Sequence, residues 1–457
     1  MVINPLKVEA AAFSHTSMRQ TRLWPGCALL LCLAASLYRF PGISNVDTMS
    51  QRADMLSKEY HDWHPPIFAA FWGILNDIWN SVTGMQITGT EVLYMTFVFM
   101  FWGGAALILR RAKNFWASFA GGAQWKFFTA LALFVFLGLF ELVPMLRFVW
   151  KDTAMFAAYT LALGIILNFP SPSKKLLWRI GALVTALLLL FYGTAVRHNA
   201  IFAVLPLLSL LLICFTGKRK FTFILPLTLV IWGIMLFSAH LITYRVLTTH
   251  KQYSLQEILY GDIWKLNYRS KTFDLPPPVN GRGWEPLDRD VFFAFFVETH
   301  HIVAAFHYIN TYYRSKGDLG VDVYRDFNGA EDDFGELQKA WFEKVKKHPS
   351  RYFNLRKRIM LDLLRNFSFM GQTGLIYFIF SILVTGVMLY KFVRKKKFAD
   401  LVPYFVVASG LLYVLPYFFI APDAVRRYLF WFYLASFYGV VWFANELRSK
   451  ATEGKKF

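Results

Sequence analysis

The sequence predicts an all-α polytopic membrane protein with about ten transmembrane helices, juxtamembrane helices in the first outer loop, and one large outer loop. Three observations carry that reading. Of 457 residues, 56% are hydrophobic and 18% aromatic. Apolar runs of about 17 to 25 residues recur along the chain, the length a helix needs to cross roughly 30 Å of hydrocarbon. The basic residues between those runs fall on alternate loops, as they do when one side of a membrane retains them.

The runs place spans at 24–40, 91–109, 127–146, 153–169, 180–196, 200–216, 222–240, 368–390, 402–421 and 428–446. The first has basic residues before it but no small-residue cleavage site after it, so it reads as an uncleaved signal-anchor. One set of flanks then holds Lys7, Arg19 and Arg22; Arg110, Arg111, Lys113 and Lys126; Lys174, Lys175 and Arg179; Lys218 to Lys220; Lys391 and Arg394 to Lys397; and Arg448, Lys450, Lys455 and Lys456. Only Glu9, Asp400, Glu446 and Glu453 oppose them there. That side is cytoplasmic, with both termini inside, and the protein belongs in the inner or plasma membrane. The net charge of +20 is therefore topological. A nucleic-acid-binding face would not be cut into short loops between membrane spans, so the expected partner is a lipid bilayer and not a nucleic acid.

Residues 66–80 are apolar yet short, and they carry Asp77. If they crossed, every later basic loop would invert. They are expected to lie in the outer interface, with Trp72 and Trp79 as anchors and Pro65 at the first turn. Before them, Met49, Ala53, Leu56 and Tyr60 recur at helical spacing and predict a first amphipathic helix on the membrane. Three units follow: an N-terminal transmembrane module over 1–241 containing the first outer loop (41–90), a large outer loop over 242–366, and C-terminal helices with a tail over 367–457.

With this topology several polar groups meet on the outer face. Asp47 follows the first span, Asp62 and His64 precede the second juxtamembrane helix, and Lys151-Asp152 opens the fourth span. Arg197-His198-Asn199 joins spans five and six, and Asp423 with Arg426-Arg427-Tyr428 joins the last two. Outer loops usually avoid basic residues. Arg197, Lys151, Arg426 and Arg427 there suit a phosphate, which arginine matches with two donors. Each residue also has a plainer role. Asp47 suits the cap of a helix starting at Thr48. Asp152 suits the cap of its span or a pair with Lys151, His64 a helix cap or a corner before two prolines, and Arg197 a snorkelling helix end. Arg426 and Arg427 are adjacent and point to different sides, so at most one meets a phosphate directly.

The large loop is close to charge balance, as a folded soluble surface would be, with turns at Pro276–Pro278 and Gly281–Trp284 and helical periodicity over 291–313 and 334–347. His300, His301 and His307 lack the two-histidine spacing of a zinc-binding helix, and Cys27, Cys32 and Cys214 sit inside apolar runs, so no metal site is expected. Lys344 to Arg358 is basic and suits either a solvated helix face or acidic headgroups.

In order and sidedness these residues resemble the GT-C type of polyprenyl-phosphate-dependent glycosyltransferase, which includes protein O-mannosyltransferases and aminoarabinose transferases. The matching features are Asp47 just past the first span, a juxtamembrane helix opened by His64-Pro65-Pro66, a following span ending in Arg110-Arg111, Lys151-Asp152 before the fourth span, and Arg427-Tyr428 opening a late one. The likeness covers residues 20–240 and 365–446. One departure is Asp47-Thr48, where the mannosyltransferases carry an Asp-Glu pair.

The resemblance implies transfer of a sugar from a polyprenyl-phosphate donor to a hydroxyl of an extracytoplasmic acceptor. It implies Asp47, with Asp152 and His64, in the catalytic set, and Arg197, Arg426, Arg427 and Lys151 at the donor phosphate. No nucleotide, metal or other cofactor is required, because the lipid phosphate is the leaving group. Two other classes stay open. A lipid-linked sugar transporter or flippase would place charges midway along its spans, whereas here they crowd one boundary. A polysaccharide polymerase or ligase would place key groups in the large loop, where Arg282, Arg314, Arg325 and His348 are available.

Overall fold

The computed structural model describes residues 26–87, 89–111, 142–171, 174–217, 221–250, 254–268, 331–365, 373–395, 402–421 and 426–439. In chain order these form α1 (Gly26–Leu37), α2 (Val46–Ser57), β1 (Tyr60–His61), α3 (Ile67–Thr83), α4 (Glu91–Arg111), α5 (Val143–Leu146), α6 (Lys151–Leu167), α7 (Leu176–Ala195), α8 (Ala200–Thr216) and α9 (Phe221–Leu241). A π turn (Ile242–Leu247) extends α9 into β2 (Thr248–His250). Then come α10 (Gln256–Tyr268), α11 (Glu331–Lys347), α12 (Pro349–Arg365), α13 (Thr373–Lys395), α14 (Val402–Val414), α15 (Tyr417–Ile420), a 3-10 turn (Arg426–Leu429) and α16 over 430–439.

The protein is helical. Four stretches are long and apolar enough to cross a membrane: Glu91–Arg111, Leu176–Ala195, Thr222–Leu247 and Val402–Ile420. Gly26–Leu37, Ala200–Thr216 and Leu375–Val387 are shorter apolar helices. The expected span at 127–146 falls mostly outside the described residues, as do the first 25 residues, residues 269–330 with their three histidines, and Asp423.

Packing centres on α6, which is buried on nearly every side and lies between α4 and α7. A span in lipid gains little from hydrophobic burial against another span, so close backbone approach and interhelical hydrogen bonds must hold the helices together. Both are present. A Cβ at Gly104 of α4 would come within 2.6 Å of the Thr160 and Leu161 backbone of α6, and one at Gly164 would meet the Gly104 carbonyl at 2.8 Å. Tyr159 of α6 bonds Thr194 Oγ1 of α7 at 2.9 Å and donates to the Ala200 carbonyl at 3.2 Å. Ser409 of α14 donates to the Ala203 carbonyl of α8 (2.6 Å) and accepts from Trp431 Nε1 (2.9 Å). Such bonds contribute about 0.6 kcal/mol each on average.

The first loop is tied to both neighbouring connections. Ile43 bridges Phe148, through Ile43 N–H to the Arg147 carbonyl (2.6 Å) and Val149 N–H to the Ile43 carbonyl (3.2 Å). β1 pairs in parallel with β2, which follows α9. Helices α2 and α3 carry apolar residues away from the protein: Met49, Ala53 and Leu56 on α2, and Ile74, Ile78, Trp79 and Val82 on α3, are exposed. On α2 the inward residues are Thr48, Gln51, Asp54 and Met55. That inverted amphipathy of α2 suits a helix that lies on lipid.

Trp72 corrects the expected pair of anchors. It is fully buried, with Nε1 donating to the Gly89 carbonyl at 2.9 Å. One turn of α3 faces the protein there, and an indole N–H that finds a carbonyl can be buried at little cost. Tyr60 lies in β1, beyond the end of α2, because Lys58 adopts a left-handed conformation and stops the helix.

Candidate functional site: a charged cluster at one end of the bundle

The cluster is built where α6 begins, where α7 turns into α8, and where α15 ends. Thr48 Oγ1 donates to the Val149 carbonyl at 2.8 Å, so the start of α2 sits against the segment that leads into Lys151. Asp47, the preceding residue, is half-buried in the first turn of α2. A carboxylate there is favoured by the helix dipole. Asp47 is not the cap. Asn45 is, its side chain accepting from Thr48 N–H at 2.9 Å. The helix starts at Val46, two residues earlier than a cap at Asp47 requires.

Lys151 and Asp152 are neighbours in sequence but take different partners. Lys151 Nζ lies 2.6 Å from Nδ1 of His64. An ammonium has only donors, so Nδ1 accepts and the imidazole proton sits on Nε2. His64 and Asp62 are both buried between β1 and α3, and the position before α3 belongs to Pro66, so His64 is not a helix cap.

Asp152 is 1% exposed and pairs with Arg197, whose Nε is 3.0 Å from Oδ1. The two are held as a charge contact, since the Nε–H is not aligned for a hydrogen bond. This corrects the expected Lys151–Asp152 pair. Successive residues on a helix point about 100° apart, and α7 brings Arg197 to the Asp152 side. Arg197 is likewise no snorkelling residue. It donates from Nη2 to Tyr417 Oη at 3.1 Å, and its guanidinium lies 4.9 Å from the centre of the Tyr428 ring. Tyr417 and Tyr428 stack at 4.8 Å with 8° between planes, and Tyr413 Oη lies 3.4 Å from that of Tyr417. Burial works against the Arg197 charge, but Asp152 and the tyrosines outweigh it and the group stays protonated.

Two cations, Lys151 and Arg197, stand among the carboxylates Asp47, Asp62 and Asp152. His198 is solvent-exposed at its rim yet closely surrounded by protein. Desolvation first, then Lys151 and Arg197, push its imidazole down to about 4. Arg426 and Arg427 start the 3-10 turn that carries Tyr428, so their backbone joins this end of the bundle. Their side chains lie outside what the structure describes.

Helices of the large loop reach the same end. Arg356 of α12, fully buried, pairs with Asp262 of α10 and donates from Nη1 to the Ala421 carbonyl at 2.7 Å, just past α15. Trp341 Nε1 of α11 donates to Asp262 at 3.0 Å. Among the described residues no group of three or more His, Cys, Asp or Glu side chains is arranged to hold a metal ion.

Sequence reasoning gathered Asp47, His64, Lys151, Asp152 and Arg197 by sidedness, and the structure brings these to one end through the contacts above. It placed Tyr428 at this end but missed Tyr413 and Tyr417, which join it in the aromatic set. The signal available was the four-residue spacing of Tyr413 and Tyr417 at the end of an apolar run. It also missed Asp54, a buried acid on α2. Comparison with protein-family models, with curated proteins and with solved structures finds no match for this chain.

Proposed function

We propose that this chain is a membrane glycosyltransferase of the GT-C type, with ten spans and both termini cytoplasmic, that moves a sugar from a polyprenyl-phosphate donor to a hydroxyl of an extracytoplasmic cell-envelope glycan, lipid or protein. The observation that carries the reading is the convergence of Lys151, His64, Arg197 and His198 with the start of α2 at one end of the bundle. Fixed cations beside carboxylates, where helices leave the apolar zone, suit a lipid-borne phosphate.

The chemistry follows from the groups. The acceptor oxygen attacks the anomeric carbon as the bond from that carbon to the phosphate oxygen breaks. The electron pair leaves with polyprenyl phosphate, the hydroxyl proton passes to Asp47, and the anomeric centre inverts. A positioned base contributes about 10²–10⁴ in rate. Lys151, Arg197 and one of Arg426 or Arg427 stabilise the negative charge that grows on the departing phosphate, the larger electrostatic contribution in such sites. Asp152 orients Arg197, and His64 holds Lys151 toward the same place.

Turnover tests the reading. Purified protein in lipid, given polyprenyl-phosphate sugars of several kinds with a hydroxyl acceptor, is expected to release free polyprenyl phosphate from one of them. Binding of polyprenyl phosphate without release from any sugar would favour a carrier over a transferase and overturn the proposal.

A further inference from the structure

The corner between α11 and α12 has a use that the charged cluster does not explain. From Lys344 to Arg358 the chain has no acidic residue and carries Lys344, Lys346, Lys347, Arg351, Lys357 and Arg358 at least partly open to solvent. Glu343 and Asp362 stand at its two edges, the latter 3.8 Å from Arg358. Two large apolar rings are exposed in the same region, Phe342 at 60% and Phe353 at 57%. α12 is amphipathic: Arg356, Ile359, Met360, Leu363 and Leu364 face the protein, and Phe353 sits at the margin between that face and the cationic one, a turn before Lys357.

A second observation fixes the height of this corner. The Phe353 ring lies 5.5 Å from that of Phe418, and Phe418 contacts the exposed Phe419. Both belong to the last turn of Val402–Ile420, a stretch that rises roughly 28 Å at 1.5 Å per residue and so matches the hydrocarbon thickness. A ring packed on that last turn is at headgroup level. A helix with an apolar margin and a cationic face, held at that level, has the build of one that lies in a lipid interface.

We infer that the α11–α12 corner is a docking surface for anionic phospholipid headgroups, with Phe342 and Phe353 entering the acyl boundary and the cations meeting phosphates. Each Lys or Arg near an anionic membrane surface adds to the attraction, so the six together form a strong, salt-sensitive contact. This inference uses Val402–Ile420 as a membrane span and is independent of sugar transfer.

The test uses the full chain in lipid nanodiscs, with Cys27, Cys32 and Cys214 replaced by alanine and a spin label attached through Ser350→Cys. In phosphatidylcholine alone the label is expected to be open to a water-soluble nickel relaxant. With phosphatidylglycerol added, it is expected to lose most of that accessibility. The loss should disappear in Lys346→Glu/Lys347→Glu/Arg351→Glu, and also at high salt with the native charges in place, because the Debye length shortens to about 3 Å at 1 M. The salt arm keeps the test valid if the charge-reversed variant folds poorly. Equal accessibility in both lipids, as an acidic protein partner for this corner would give, or a loss that salt leaves intact, would overturn the inference.

Discussion

Lys151 Nζ and His64 Nδ1 stand 2.6 Å apart, although 87 residues separate them in the chain. The contact crosses from the first loop to the start of the central helix α6. Asp152, one residue on, turns the other way to Arg197. One helix start thus anchors two loops, the first through a lysine and the α7–α8 connection through an aspartate. This dual anchoring is what assembles the charged cluster, because the start of α6 is fixed by the close contacts of Gly104 and Gly164 farther along the helix.

The Asp152–Arg197 pair is expected to be structurally costly to break. Asp152→Asn and Arg197→Gln each leave a buried charge without its partner and should destabilise by about 3–5 kcal/mol. The double variant should lose less than the sum of the two. Thermal unfolding of the four proteins in one detergent checks this, and losses under about 1 kcal/mol would mean that the pair does not hold this end of the bundle together.

His64→Ala removes the acceptor that holds Lys151 but leaves the charge. Affinity for polyprenyl phosphate should fall modestly, and less than in Lys151→Ala. Lys151→Arg keeps a cation yet cannot fit the same single contact to Nδ1, so it should fall between them. Equilibrium binding of labelled polyprenyl phosphate orders the three, and equal affinity throughout would remove Lys151 from the phosphate site.

Asp54 gives a pH dependence with an unusual sign. It is buried on α2, and desolvation pushes its carboxyl up to about 6, with a backbone hydrogen bond from His61 opposing. The folded protein therefore holds this proton more tightly than the unfolded chain does. Stability from this group is present below about pH 4 and is lost as pH rises through 6. Asp54→Asn keeps an oxygen for the His61 N–H and removes the charge, so it should stabilise at pH 7 by on the order of 1–3 kcal/mol and change little near pH 4. Unfolding temperatures at the two pH values decide it, and a loss of stability at pH 7 would mean that the charge has a partner that matters.

The orientation rests on residues 66–80 staying on one side. Single cysteines introduced by Met85→Cys and Asn114→Cys, in a background without the three native cysteines, should label with an impermeant reagent from opposite sides of the membrane. Labelling from the same side would invert every later loop.

Long apolar runs made several helices legible: 91–109 lies within α4, 200–216 is α8, and 402–421 covers α14 and α15. Runs of that length leave the backbone little choice. Pairing was less legible, because it depends on which way neighbouring residues point. Lys151 and Asp152 looked like a local pair until α6 sent them apart. Asp47 looked like a cap until Asn45 took that place. Trp72 and Trp79 are two turns apart on α3, and nothing in the sequence said which one the protein would cover. The buried Arg356–Asp262 pair joins residues 94 positions apart across a loop, a link that periodicity cannot reveal.

The most direct measurement compares the rate of polyprenyl phosphate release by the parent protein and by Asp47→Asn, on whichever lipid-linked sugar the parent accepts. Asparagine keeps the shape of the side chain but cannot take a proton, and Asn45 still caps α2, so folding should be nearly unaffected. The account predicts a fall of about 10²–10⁴ in rate with unchanged thermal stability. Near-parental release by Asp47→Asn would contradict it, leaving Asp47 as a helix-dipole partner and the base to be sought elsewhere in the cluster.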